Sequence, residues 1–171
     1  MTDQDYGYMS AMRRYATFSG RSPRKEYWMF LGIYVVVSII AALLDGLAID
    51  FMPRTLSEIG IFGSIVSLVH LVPSFSVTFR RLHDTGRSGW WIGIPSLLAI
   101  PGYGLMAAGI FGGGLDAATF AANPLFLVGA ALVVVVLLMF LVVFVFMFFR
   151  SEEGQNKYGP HPYGQFDTTV F

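Results

Sequence analysis

Four stretches of the chain contain no Asp, Glu, Lys or Arg: Tyr27 to Leu44, Ile59 to Phe79, Ser88 to Leu115 and Ala117 to Phe149. Each reaches or approaches the ~20 residues that a helix needs to cross about 30 Å of hydrocarbon. Asn123-Pro124 offers a helix start inside the last run, so Asp116 to Pro124 reads as a loop. The expected fold is therefore all-α, a polytopic membrane protein with four transmembrane helices in one bundle. Its spans are placed at about 27–44, 59–79, 90–115 and 125–149. A cytoplasmic segment, 1–22, precedes the transmembrane domain, 23–149, and a cytoplasmic tail, 150–171, follows it. The first run is too long for a secretory signal, and no small-residue cleavage site precedes Asp45.

Composition narrows the picture further. Apolar residues make up 55% of the 171 positions and charged residues only 13%, about half of what a soluble domain uses to cover its surface. The formal charge is zero, which gives no case for nucleic acid through bulk charge. With no cysteine, the chain has no disulfide, thiolate metal site or cysteine nucleophile.

The basic residues set an orientation, because Lys and Arg in short flanking loops stay cytoplasmic. Arg13, Arg14, Arg21, Arg24 and Lys25 precede the first span, Arg80, Arg81 and Arg87 lie in the second connection, and Arg150 and Lys157 lie in the tail. Against these ten, the first connection has only Arg54 beside Asp45, Asp50 and Glu58, and the third has Asp116 alone. Both termini and the Arg80 to Ser88 loop are expected in the cytoplasm. Ser22-Pro23 suits a cap followed by the first helical position. Trp28, Trp90 and Trp91 fall near the same boundary, where an indole keeps its ring in the apolar layer and its N–H among headgroups. Tyr8, Met12 and Tyr15 recur at helical spacing beside Arg13 and Arg14, which fits a short interfacial amphipathic helix or an irregular leader.

Three polar stretches do not read as ordinary membrane packing. They are Phe18 to Trp28, Arg80 to Trp91 and Gly154 to Pro162, and all fall on the expected cytoplasmic face. The Gly20-Arg21 and Arg24-Lys25-Glu26-Tyr27-Trp28 approach to the first span, the Pro73 to Trp91 stretch, and the tail motif Asn156, Lys157, Tyr158, Gly159, Pro160 together resemble the YhaH-like family of small bacterial inner-membrane proteins. That family is catalogued as a domain of unknown function. The resemblance implies an inner-membrane location and supplies no activity. The interval between Trp90-Trp91 and Asn156 is longer than the family pattern leads one to expect, and it includes the glycine-rich Gly109 to Gly114.

The Arg80 to Trp91 stretch admits two readings. In the plain one it is a tight turn: Gly86 and Gly89 supply the sharp backbone, Ser88 caps the next helix, and Asp84 and Glu26 neutralise part of the surrounding positive charge. In the sharper one it is an anion site. Arg80, Arg81 and Arg87 present forked donors to a phosphate, His83 and Asp84 form a hydrogen-bonded pair, and Trp90 and Trp91 border a phospholipid headgroup, with Arg21, Arg24 and Lys25 contributing from the first motif. His83, Asp84 and His161 are too scattered for a metal site, and no cofactor or catalytic motif is expected.

The second span is the most polar, and Ser67, His70 and Ser74 share one helical face. Such a face can carry a proton or ion relay, or can simply hydrogen-bond a neighbouring helix. Pro95, Pro101, Gly102 and Gly104 interrupt the third span, where a kink is the expected outcome. Gly109 and Gly113 stand at the spacing that allows close helix approach or self-association. The fourth span reads as a lipid-facing wall. The expected role is a non-enzymatic membrane module whose basic cytoplasmic face binds lipid headgroups, anionic phospholipid above all, or a partner protein. A homo-oligomer or a membrane-protein partner is compatible with it, and nucleic acid is not expected. The rival is an oligomeric transporter or channel using the polar face of the second span.

Overall fold

A computed structural model describes residues 6–48, 51, 59–113 and 122–164. Among them the chain forms five helices: α1 (Tyr8–Arg13), α2 (Arg24–Ala48), α3 (Ile61–Asp84), α4 (Trp90–Gly113) and α5 (Pro124–Phe146). The last four are long and apolar enough to cross a membrane. The expected all-α polytopic membrane protein with four spans is what the structure has. Asp50, Arg54, Glu58 and Asp116, on which part of the charge asymmetry rested, lie outside the described residues.

The C-terminal ends of α2 and α3 run past expectation, both for electrostatic reasons, while α5 stops at Phe146, short of the expected 149. α2 continues through Asp45 to Ala48, because the Asp45 carboxylate accepts from the first free amides of α3 instead of facing water. α3 continues to Asp84, so Arg80 to Asp84 is helix and not loop; its charges are neutralised inside the protein. The turn proper begins at Thr85, and Gly86 takes a left-handed φ of 74°. A Cβ at Gly86 would also stand 2.7 Å from a Glu152 carboxylate oxygen, the movable end of an exposed side chain, so it is the left-handed backbone that favours glycine there. Ser22 does not cap α2, since its hydroxyl donates to Glu26. Asn123 does cap α5, accepting from the Leu125 amide at 3.0 Å ahead of Pro124 at the first helical position.

The chain packs as two compact units, residues 1–86 with 150–171, and residues 87–149. In the first, α2 and α3 pair, and the short α1 lies against both. Ala11 is fully buried, and Phe30, Val77 and Leu82 form the apolar centre. The segment before α2 is thus a helix packed on protein and not an irregular leader. Val36, Ile39, Ile40 and Leu43 on the outer face of α2 are exposed, as suits side chains whose solvent is lipid.

The second unit is the α4–α5 hairpin. α4 runs unbroken past Pro95 and Pro101, so the two prolines do not divide the span into separate halves. The hairpin is held by close backbone approach: a Cβ on Gly109 would stand 2.6 Å from the Phe126 amide nitrogen, and one on Gly129 would stand 2.8 Å from the Gly102 carbonyl. Gly109 therefore serves packing within the chain. In the same unit the Arg87 guanidinium lies over Phe146 and Phe149, 4.1 and 4.7 Å from the ring centres.

Candidate functional site: a buried arginine–carboxylate cluster

The last turn of α3 carries Arg80, Arg81 and Asp84, and the first turn of α2 carries Glu26, at the same end of the helix pair. Glu26 accepts from Ser22 at 2.6 Å, Ser10 at 3.0 Å, Arg14 at 2.6 Å and Arg80 at 3.2 Å. Asp84 accepts from Arg21 at 3.0 Å, and from Arg81 and Ser151 at 2.5 Å each. The side chains of Glu26, Asp84, Arg80 and Arg81 are all 0% exposed. Burying a charge costs several kcal/mol per ion before compensation, so the cluster persists only because each carboxylate is met by several donors, at least one of them a guanidinium. Four guanidinium groups, from Arg14, Arg21, Arg80 and Arg81, meet two carboxylates. The Arg80 Nε and Nη2 donors have no hydrogen-bond partner among the described residues.

The cluster also fastens both ends of the chain. Arg21 donates to the tail carbonyls of Glu152, Gly154 and Gly159. The Glu152 amide donates to the Asp84 carbonyl at 2.8 Å, and Asn156 Nδ2 donates to the His83 carbonyl at 2.9 Å. The His83 ring stacks on Tyr158 at 3.8 Å between centres. Its Nδ1 faces the Gly20 carbonyl, which can only accept, so that nitrogen carries the proton. On the amino-terminal side, Ser76 donates to the carbonyls of Arg14 and Thr17, and Tyr6 donates to the Pro162 carbonyl at 2.7 Å. Burial pushes the Tyr6 phenol above its ordinary pKa, which keeps the donor proton in place.

Of the residues singled out from sequence, the structure brings together Arg21, Arg80, Arg81, His83 and Asp84 with Asn156, Tyr158 and Gly159. The three polar motifs thus meet at one end of the first unit. The chemistry differs from the expected open fork. Arg80 and Arg81 are sealed and committed to carboxylates, and Asp84 bonds Arg21 and Arg81 while His83 turns to Gly20 and Tyr158, so the expected His83–Asp84 pair does not form. The reason is charge: a buried aspartate gains more from two guanidinium groups than from a neutral imidazole. Arg24 and Lys25 are exposed on the first turn of α2, and Lys157 reaches over the Tyr158 ring at 4.9 Å. Pro160 is exposed, and Arg87, Trp90 and Trp91 belong to the other unit.

The polar face of α3 is likewise divided. His70 is buried; its Nδ1 donates to the Val66 carbonyl, its Nε2 meets the Tyr8 hydroxyl at 2.8 Å, and its ring stacks on Tyr34. The Ser74 carbonyl accepts from Thr78, and Ser67 is exposed. Sequence reasoning treated Glu26 only as a neutraliser, Arg14 only as one of the basic residues that set the orientation, and Ser22 only as a helix cap, and it assigned no role to Ser10 or Ser151. Glu26 had one usable signal: it is the lone carboxylate in a basic stretch that leads straight into an apolar run. The serines had none, because their role depends on which carboxylate the fold delivers to them.

With this geometry in place, comparison with known proteins is decisive on family. The model of the family described as "Protein of unknown function (DUF805)" matches residues 15–160, which takes in the first two polar stretches and the tail motif Asn156 to Pro160. The chain belongs to this family. Among curated relatives, Inner membrane protein YhaH of Escherichia coli (strain K12) is 39% identical over 84 residues, covering 49% of this chain and 67% of its own. Inner membrane protein YhaI of the same strain is 36% identical over 87 residues, covering 49% and 65%. Uncharacterized protein YiiR, also of that strain, is 31% identical over 75 residues, covering 44% of this chain and 46% of its own. No solved structure matches the chain.

Proposed function

We propose that this family member is a non-enzymatic inner-membrane module, with both termini in the cytoplasm, whose basic end binds the phosphate of anionic lipid headgroups. The observation that carries the reading is a surplus of positive charge at one end of the first unit. Four guanidinium groups already outnumber two carboxylates in the buried cluster, and Arg13, Arg24, Lys25 and Lys157 add exposed cations from α1, α2 and the tail. In this reading the buried arginines hold the ends of the chain in place, and the exposed ones touch lipid. Exposed Met9, Phe18 and Met29 accompany them and suit the boundary between headgroups and acyl chains. The inner-membrane location follows the relatives' names, and the orientation follows the distribution of Lys and Arg.

Each basic residue near an anionic leaflet contributes about 1 kcal/mol. Replacing Arg13, Arg24, Lys25 and Lys157 by glutamine together is expected to lower phosphatidylglycerol retention by at least about tenfold, read by native mass spectrometry of protein released from nanodiscs. Thermal stability should be largely retained, because the two buried carboxylates are met by Arg14, Arg21, Arg80 and Arg81. Undiminished retention would overturn the reading. Orientation is tested separately, since the chain has no cysteine: Glu153→Cys, at an exposed tail position, should react with an impermeant maleimide only after cells are opened. Labelling in intact cells would place the tail outside.

A further inference from the structure

At the end of the α2–α3 pair opposite the arginine cluster lies a cleft of about 690 Å³, lined by Ser38 and Asp45 of α2, Ile59, and Ser64, Ser67 and Leu68 of α3. Among the described residues Asp45 is the only carboxylate lining it. Its Oδ1 accepts from the Phe62 amide at 2.9 Å and its Oδ2 from the Gly63 amide at 2.8 Å. The carboxylate thereby supplies the cap that Gly60, which makes no side-chain cap bond, does not give α3. A carboxylate oxygen has two acceptor sites, so each oxygen retains one. No ion pair among the described residues involves Asp45. A carboxylate this close to the apolar layer is costly unless a positive group meets it.

The hydroxyls around it are unspent as well. Thr78 and Ser96 donate back to the carbonyl one turn earlier, as hydroxyls in apolar helices ordinarily do. The Ser38 and Ser67 hydroxyls make no hydrogen bond among the described residues, and the Ser64 hydroxyl makes only a 3.4 Å contact to the Ile59 carbonyl. Ser38 stands two turns before Asp45 on the same face of α2, a separation of about 10 Å along the axis. The cleft therefore offers a negative end, flanking hydroxyl acceptors, and apolar walls at Ile59 and Leu68.

We propose that this cleft binds a protonated primary amine carried on an apolar body. An ammonium has three donors and no acceptor, which matches the free acceptor sites of the Asp45 carboxylate, while the Ser38 and Ser67 hydroxyls, one to two turns away, line the rest of the cleft. A quaternary ammonium has the charge without the donors. A bare divalent cation would find too few oxygen ligands for the six to eight that calcium takes. The same chemistry is presented by a phosphatidylethanolamine headgroup and by a soluble amphiphilic amine.

Octylammonium titrated calorimetrically into the full-length protein in detergent is expected to show a single saturable site. Octanol and octyltrimethylammonium should bind about tenfold more weakly or worse, since each lacks the charge or the donors of a charge-assisted hydrogen bond. The double variant Ser38→Leu with Ser67→Leu fills the cleft, leaves the Asp45 cap untouched, and should lose the site. Asp45→Asn provides a second variant should the filled cleft not fold, and it should also lose the site. Absence of saturable binding, equal affinity for octanol, or native affinity in a folded variant would each overturn the proposal. In phosphatidylglycerol nanodiscs, competition by added phosphatidylethanolamine assigns the site to the lipid, and unchanged octylammonium affinity assigns it to a soluble amine. Neither result depends on the basic end of the molecule, so this proposal and the headgroup reading can fail independently.

Discussion

Asp84→Ala is expected to destabilise the first unit by about 3–5 kcal/mol, the usual cost of removing one partner from a buried ion pair. Asp84 is 0% exposed and is met by Arg21, Arg81 and Ser151. Its loss leaves two guanidinium groups facing each other without a counter-charge, in a place water does not reach. The variant should melt well below the native protein in the same detergent. The tail should also become sensitive to limited proteolysis at residues 150–164, because Arg21 is what clasps the Glu152 and Gly154 carbonyls. Asp84→Asn keeps an acceptor oxygen but not the charge, so most of the loss should remain. Replacing Arg21, Arg81 and Asp84 together by apolar residues of similar volume should recover much of it, since the desolvation cost then disappears with the charges. A native melting curve for Asp84→Ala would show that the cluster contributes nothing to folding.

The second large effect is steric and lies in the other unit. A Cβ on Gly129 would stand 2.5 Å from the Met106 amide nitrogen and 2.8 Å from the Gly102 carbonyl oxygen. Those are backbone atoms of α4, which cannot rotate away as a side chain would. Gly129→Ala is therefore expected to force the hairpin apart and to cost about 1–3 kcal/mol, the range for overpacking a close contact. The same substitution at Gly104, where an added Cβ meets nothing within 4 Å, should be neutral or should stabilise α4 by up to about 1 kcal/mol through helix propensity. Opposite signs for one chemical change on facing helices would be hard to obtain from any cause but close approach. Equal effects at both positions, read as unfolding midpoints in a denaturing detergent series, would refute the packing account.

How much of the candidate site was legible beforehand depends on the kind of information each residue carries. Arg80, Arg81 and Asp84 stood out because charges interrupting an apolar run are rare and are costly in a membrane. Their burial did not follow from that: the same string serves an exposed turn or a sealed cluster, and only the delivery of Glu26 and Arg21 from more than fifty residues away selects the second. Tyr158 and Asn156 stood out as a motif, yet stacking on His83 and bonding its carbonyl require the tail to return to the first unit. Asp45 was read as a loop residue, because a carboxylate ends a run of apolar residues when the run is read along one chain. It ends nothing once the free amides of α3 donate to it and α2 runs on past it.

By itself the sequence determined that this protein is all-α and crosses a membrane four times, and it located the three polar motifs. These follow from the length and composition of apolar runs, which are local properties set by the thickness of the hydrocarbon and the cost of placing charge in it. The tertiary structure decided which charges pair and which stay exposed, where α2 and α3 end, that Gly109 and Gly129 are contact points, and that an acidic cleft with spare hydroxyls lies opposite the basic end. Each of these depends on a partner distant in the chain, and the energy of a buried charge or a close backbone contact is a property of the pair and not of either residue alone.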